Sequence, residues 1–143
     1  VVGGFNLIYQ FWIHTEVIKR MPRWFEAVMN TPSHHRVHHA VNPRYLDRNY
    51  AGVFIVWDRA FGTFQPELPE EQYQPLRYGL TKPLEKEDPG TVIFHEWKSI
   101  RQDLRKPGLS WRDKFGYLFG PPGWSHDGSS KTSEELRKVE RAL

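Results

Sequence analysis

Four of the seven histidines of this chain lie within six residues, in the segment Ser33-His34-His35-Arg36-Val37-His38-His39. If this segment forms a helix that turns about 100° per residue, His35, His38 and His39 project from one side of it. His34 lies just beyond His38 on the same side. Neutral imidazoles that are grouped in this way can converge on a metal ion. The spacing therefore favours a metal site, and a solvated basic patch is the alternative.

The composition narrows the chemistry that such a site can perform. The chain has no cysteine, which excludes disulfides, iron–sulfur clusters and thiolate zinc sites. Its net charge is only +3, and its basic residues are spread among acidic ones, so we expect no nucleic-acid partner. At 143 residues, with eleven prolines and eleven glycines, the chain is expected to form one loop-rich domain.

Three kinds of metal chemistry remain open on the residues alone. A thermolysin-like zinc hydrolase needs two histidines four residues apart on a helix, with glutamate beside the first. His95-Glu96 begins that pattern, but Ser99 stands where the second histidine belongs, and Glu16 would have to supply a carboxylate from elsewhere. A non-catalytic metal-binding or haem-contacting module, with structural histidines, is the second possibility. The third is an all-histidine iron site that activates oxygen. The segments Phe5–Trp12 and Tyr50–Phe64 could form the walls of the apolar cavity that such a site needs.

The first element that must position the histidines is a predicted helix over Phe5 to Arg20. We interpret it as the end of a membrane helix, or as a buried helix leaving the membrane, with Lys19-Arg20 at its headgroup-facing end. No stretch reaches the roughly 18 uninterrupted apolar residues that a membrane-spanning helix needs. Because the chain opens on Val1-Val2-Gly3-Gly4 without a methionine, we expect it to be a piece of a longer protein.

Further helices are predicted from apolar spacing and from capping residues. They are Arg23–Met29, a histidine helix capped by Ser33 and ending near Asn42-Pro43, a buried helix within Tyr50–Phe61 closed by Gly62, Thr91–Leu104, and Ser110–Leu118 capped by Ser110. Residues 66–89 are predicted to be irregular, apart from an ordered loop at 78–83. Trp124 is expected to anchor a rigid turn, and residues 125–143 to form a mobile tail.

The motifs become specific to a family when the histidine box is taken together with the segments that follow it. His35-Arg36-Val37-His38-His39, Asn49-Tyr50-Ala51-Gly52 and Trp57–Phe64 resemble the fatty acid hydroxylase/sterol desaturase superfamily. Tyr78–Leu84 and Gly120–Trp124 look like the tail of its alkylglycerol monooxygenase-like branch. This resemblance implies a mainly α fold: the C-terminal part of a helical integral membrane oxygenase, with a loop-rich cytosolic cap.

The resemblance also implies the roles of individual residues. His35, His38 and His39 match the last histidine box of the family and carry over as iron ligands. His14 carries over as the ligand from the preceding helix, while Gln10 stands where many members have another histidine. Residues expected to support the ligands from outside, as hydrogen-bond partners, are His34, Asp47, Asn49 and Asp58.

What the family implies for the whole protein goes beyond this chain. A di-iron centre needs about eight nitrogen ligands, so the earlier histidine boxes of the family must lie upstream and the chain alone should be inactive. The implied parent is a multi-pass membrane enzyme with its catalytic part facing the cytosol. It would use iron, O2 and an electron donor, a pterin in this branch, to hydroxylate or desaturate a lipid. Residues 1–64 would complete the hydroxylase domain, 65–124 would form a loop and helical extension, and 125–143 the tail.

Overall fold

The computed structural model describes residues 2–81, 84, 86 and 88–141. The described part is mainly helical, as predicted, and contains no strand; an isolated antiparallel bridge joins Ala40 to Tyr78. Its helices are α1 (Val2–Trp12), α2 (Arg23–Val28), α3 (Pro32–His39), α4 (Val56–Phe61), α5 (Pro89–Asp103), α6 (Trp111–Phe119) and α7 (Ser133–Arg141), with a 3-10 turn at Pro43–Tyr45. Within the described residues, none of these helices combines the length and the apolar character needed to cross a bilayer.

The chain separates into two compact units, Val1–Gly79 and Leu80–Leu143. The first unit contains α1 to α4 and the whole histidine segment, and the second contains α5 to α7. Residues 65–79, which the sequence groups with the extension, belong to the first unit. Residues 82, 83, 85 and 87 of the segment predicted to be irregular, and 142 and 143 of the predicted tail, lie outside the described residues.

Helix α1 ends at Trp12, so the predicted helix to Arg20 is wrong in its second half. The carbonyl groups of Thr15, Ile18 and Lys19 accept hydrogen bonds from the side chain of Arg36. A carbonyl that points at a distant side chain is not aligned along a helix axis. The segment after Trp12 therefore runs as an irregular strap that is held on α3.

Helix α3 begins two residues earlier than predicted and ends sooner. Thr31, and not Ser33, occupies the cap position, and Pro32 takes the first turn, where its missing N–H costs nothing. The helix ends at His39 because Ala40 adopts an extended conformation and pairs with Tyr78. A small core of Val37, Ala40 and Tyr45 holds this helix end, with Tyr73 and Leu76 packed against it.

The predicted buried helix within 50–61 is only partly formed. Helix α4 covers its last six residues, and Asp58 is the one residue of α4 that is buried. Residues 51–53 are not helical, because Asn30 binds the carbonyl groups of Ala51 and Val53 through its side-chain and backbone N–H groups. Gly62 ends α4 with a left-handed φ of 74°, as expected for a helix-closing glycine.

The second unit follows its capping signals closely. Helix α6 begins with a complete capping box, in which the side chains of Ser110 and Asp113 each bind the backbone N–H of the other. The ring of Trp124 packs over Gly116 and leaves no room there for a β-carbon, so Trp124 is the predicted anchor. Helix α7 occupies Ser133–Arg141, within the stretch where the sequence predicts a mobile tail.

Candidate metal centre

Three imidazole nitrogens converge at one point of the first unit. The Nε2 atoms of His14 and His35 are 2.8 Å apart, those of His35 and His39 are 3.0 Å apart, and those of His14 and His39 are 3.3 Å apart. His35 and His39 lie one turn apart on α3, whereas His14 comes from the strap after α1. Among the described residues, only these three histidines form a cluster of possible metal ligands.

The ring orientation of His14 leaves its Nε2 free to bind an ion. Its Nδ1 lies 2.6 Å from the carbonyl oxygen of Gln10. A carbonyl group only accepts hydrogen bonds, so Nδ1 carries the proton and Nε2 presents a lone pair to the cluster. Ligating histidines in metal sites are commonly held by this kind of N–H to carbonyl bond. Gln10 therefore contributes through its backbone, and its side chain is not needed for the role.

The cluster is electrostatically suited to remain neutral. Burial, followed by the neighbouring rings of His14, His39 and His38, lowers the pKa of His35 to about 3. Burial and the rings of His38 and His14 also lower the pKa of His39. Because burial and the repulsion between neighbouring rings both disfavour the protonated form, His35 and His39 keep their lone pairs at neutral pH. Neutral imidazole is the form that binds metal ions.

His38 lies beside the three-histidine cluster but does not join it. Its ring stacks on that of His35 at a centroid distance of 5.5 Å and meets the ring of Tyr50 at 6.1 Å. Its Nδ1 lies 3.2 Å from the carbonyl oxygen of Arg48, which leaves Nε2 without the proton. His38 is exposed, unlike its neighbour Val37.

His34 is turned away from the other histidines of the segment. It is buried, and its ring packs edge-on against Phe64 at 5.3 Å. Burial lowers the pKa of His34, although the nearby Glu26 carboxylate opposes that effect. Its Nδ1 is buried without a hydrogen-bond partner among the described residues. The structure therefore does not bring His34 to the cluster, and its ring fills space between α3 and the chain at Phe64.

The three other residues expected to support the ligand rings do not contact them. Asp47 is exposed with a left-handed φ of 51°. Asn49 is buried, and its side chain donates to the carbonyl groups of His34 and Gln65 and accepts from the Gln65 amide. The Asp58 carboxylate accepts from the amides of Tyr50 and Ala51 and from the hydroxyl of Thr63. Asn49 and Asp58 therefore organise the backbone beside α3.

Arg36 is a site residue that the sequence analysis missed. All five of its N–H donors form hydrogen bonds. Two of them, on Nε and Nη2, bind the Glu67 carboxylate. The other three bind the strap carbonyl groups of Thr15, Ile18 and Lys19. Arg36 therefore holds the strap that carries His14 against the helix that carries His35. The available signal was an arginine within the histidine box, at a position that must face the protein interior.

A polar cavity of about 400 Å³ opens beside the cluster. The three clustered histidines form one side, and Arg36, Glu16 and Tyr78 are among the other lining residues. The Tyr78 hydroxyl is hydrogen-bonded to the Glu16 carboxylate. Burial, and then the negative charge and hydrogen bond of Glu16, raise the pKa of Tyr78 to about 12. The phenol therefore remains protonated at neutral pH.

The first unit also contains a larger apolar cleft of about 1030 Å³. Its walls come from the two aromatic segments singled out in the sequence, including Phe5 and Tyr9 from one and Phe54 and Trp57 from the other. Two of its lining residues contact the histidines: Gln10 binds His14, and Tyr50 meets the ring of His38. The site thus has a polar cavity and an apolar cleft on its borders.

These features define a helical protein with a candidate all-histidine metal centre. Comparison with known families matches residues 1–63 to the family described as fatty acid hydroxylase. Residues 1–63 are therefore similar to that family, in agreement with the resemblance of the histidine box. No solved structure matches the chain.

Curated relatives extend the similarity beyond the family match. The chain is 48% identical over 121 residues to the alkylglycerol monooxygenase of Homo sapiens and 46% identical to that of Xenopus tropicalis. The alkylglycerol monooxygenase of Caenorhabditis elegans is 37% identical over 130 residues. Each alignment covers 84% of this chain but only 25% of the relative. The chain therefore spans about a quarter of the length of the relatives it matches.

Proposed function

We propose that the full-length protein is a non-haem, di-iron, oxygen-dependent hydroxylase of lipids, and that its substrates are alkylglycerols. The convergence of three Nε2 atoms within 3.3 Å of one another is the observation that carries the proposal. Ligands about 2.0–2.1 Å from an ion and at right angles to each other lie about 3 Å apart. The spacing of the three nitrogens fits that requirement, and imidazole is a suitable ligand for iron.

His14, His35 and His39 are assigned to one iron ion, and His38 to the second. His38 has its Nδ1 on the Arg48 carbonyl, so its Nε2 is available on the exposed side of α3. Two iron ions need about eight nitrogen ligands, and four are present here. The remaining ligands are expected from histidine boxes upstream, in the three quarters of the relatives' length that this chain does not match.

Iron, when bound, supplies the activation of dioxygen that allows an oxygen atom to enter a C–H bond. The chain's own residues provide the surroundings that this chemistry needs. The carbonyl groups of Gln10 and Arg48 keep the protons of His14 and His38 on Nδ1 and away from the metal-facing nitrogens. The apolar cleft, which Tyr50 lines beside the ring of His38, offers an apolar surface for an alkyl chain near the histidines.

The parent protein is proposed to be a multi-pass membrane enzyme with this site on its cytosolic side. Exposed apolar residues on α1, among them Phe5, Leu7, Ile8 and Phe11, support a surface that contacts lipid or further helices. Electrons must come from a donor outside this chain, and the similarity to alkylglycerol monooxygenases favours a reduced pterin. We prefer hydroxylation over desaturation because these relatives are named as monooxygenases.

The test is the metal content and oxygen uptake of the full-length protein, purified in detergent, beside two variants. His38→Ala should lose iron and alkylglycerol-dependent oxygen uptake. His95→Ala is the matched control, because His95 lies on α5 and its Nδ1 faces the carbonyl groups of its own helix. A single zinc ion, retained in His38→Ala without oxygen uptake, would reject the proposal in favour of a zinc site.

A further inference from the structure

Glu16 and Tyr78 have no part in the proposed iron centre, yet both line the polar cavity beside it. We propose that this pair recognises the hydroxyl groups of the substrate headgroup and thereby selects a polyol end over an apolar one. The inference rests on the proposed function, since it concerns how the protein binds the glycerol headgroup of an alkylglycerol. It names a specificity-determining pair for the same site.

The cavity contains few other side chains that could bind a polar headgroup. Arg36 has all five N–H donors engaged by Glu67 and by the strap, so it cannot turn to a ligand without releasing His14. The Thr15 hydroxyl oxygen accepts from the Val17 amide, and its O–H remains as a donor. Glu16 and Tyr78 provide the acceptor oxygens that the O–H groups of a headgroup need in this cavity.

The chemistry of the pair fits two neighbouring hydroxyl groups. A carboxylate has about four lone-pair positions, and the Tyr78 hydroxyl uses one of those on Glu16. The free positions accept hydrogen bonds from ligand O–H groups. The phenolic oxygen of Tyr78 has a lone pair to accept from a second O–H, because its own proton is directed to Glu16. Such a pair favours a ligand that brings hydrogen-bond donors.

The backbone holds the two residues in place on both sides of the cavity. Tyr78 pairs with Ala40 at the end of α3, and the Val41 amide donates to the Arg77 carbonyl at 2.8 Å. Glu16 lies two residues after His14 in the strap that Arg36 holds. A headgroup bound here would lie next to the three histidines, which line the same cavity.

The experiment compares two substrates that share a chain and an ether oxygen, 1-O-hexadecylglycerol and hexadecyl methyl ether. It uses the iron-loaded full-length protein and the variants Glu16→Gln and Tyr78→Phe. Each variant should raise KM for hexadecylglycerol about tenfold, the effect of losing one hydrogen bond to a charged partner. The KM for the methyl ether, the kcat for both substrates and the iron content should stay as in the wild type.

Matched controls are Glu70→Gln, an exposed carboxylate outside the cavity, and Tyr73→Phe, whose hydroxyl oxygen accepts from the Arg44 amide. Neither should change the ratio of the two KM values. Equal changes for both substrates, loss of iron, or no change in Glu16→Gln and Tyr78→Phe would overturn the assignment while the proposed function stands. If the wild-type protein oxidises neither substrate, the proposed function fails and this assignment fails with it.

Discussion

The guanidinium group of Arg36 and the carboxylate of Glu67 meet at 2.6 Å, with the two side chains 7% and 19% exposed. The pair is bidentate, since Arg36 Nε also donates to the second carboxylate oxygen at 3.2 Å. The remaining donors bind the strap after α1. One buried ion pair therefore connects the histidine helix, the strap that carries His14, and the chain near Glu67. The position of His14 depends on this connection.

Arg36→Ala should destabilise the full-length protein by about 3–5 kcal/mol, because it leaves a largely buried carboxylate and three strap carbonyls without their donor. Arg77 is an exposed arginine that forms hydrogen bonds to other described residues through its backbone, so Arg77→Ala should cost less than about 0.5 kcal/mol of stability. Denaturant unfolding in detergent measures both. Equal costs for the two variants would mean that the pair contributes little to stability.

Asp58→Asn should lower the free energy of unfolding by about 1–3 kcal/mol. The substitution turns one acceptor oxygen into an NH2 donor, which would then face N–H or O–H groups. The affected partners are the amides of Tyr50 and Ala51 and the Thr63 hydroxyl. Asp47→Asn makes the same change at an exposed carboxylate and should be nearly neutral. The same unfolding measurement compares them, and a neutral Asp58→Asn would contradict the structural role assigned to the carboxylate.

Two glycine substitutions should change stability in opposite directions. Gly62→Ala forces a side chain into a left-handed conformation at φ 74° and should cost about 1–2 kcal/mol. Gly4→Ala lies within helix α1, where a β-carbon would meet nothing within 4 Å, and should stabilise by about 0.5–1 kcal/mol. Thermal unfolding of the two variants tests the pair. A shift of the same sign in both would contradict this account of the two backbone positions.

His39→Ala and His34→Ala should separate metal binding from packing. His39 contributes a nitrogen to the three-histidine cluster. Removing a residue that only hydrogen-bonds to a metal ligand weakens metal binding by roughly 10- to 100-fold. Removing His39 itself should weaken iron binding by more than that. His34 is buried away from the cluster, so His34→Ala should lower stability by about 2 kcal/mol but keep the iron. Iron content and unfolding, measured on the same preparations, distinguish the two effects. Equal iron loss in both would reject the separation.

Local signals predicted several elements correctly. Ser110 and Asp113 form the cap that begins α6, and Gly62 ends α4 in the left-handed conformation. Such signals act within one turn, so neighbouring residues are enough to read them. The boundaries of α1 and α4 were wrong because distant partners decide them: Arg36 takes the carbonyl groups of the strap, and Asn30 takes those of residues 51 and 53.

The sequence by itself determined that His35 and His39 share one face of a helix, because four-residue spacing along a helix is a local property. Only the tertiary structure decided which histidines meet. It brings His14 to within 2.8 Å of His35 across 21 positions of sequence, leaves His38 beside them and turns His34 away. The reason is physical: the position of His14 depends on Arg36 and its partners 17 to 31 residues away, and helical periodicity carries no information over that range.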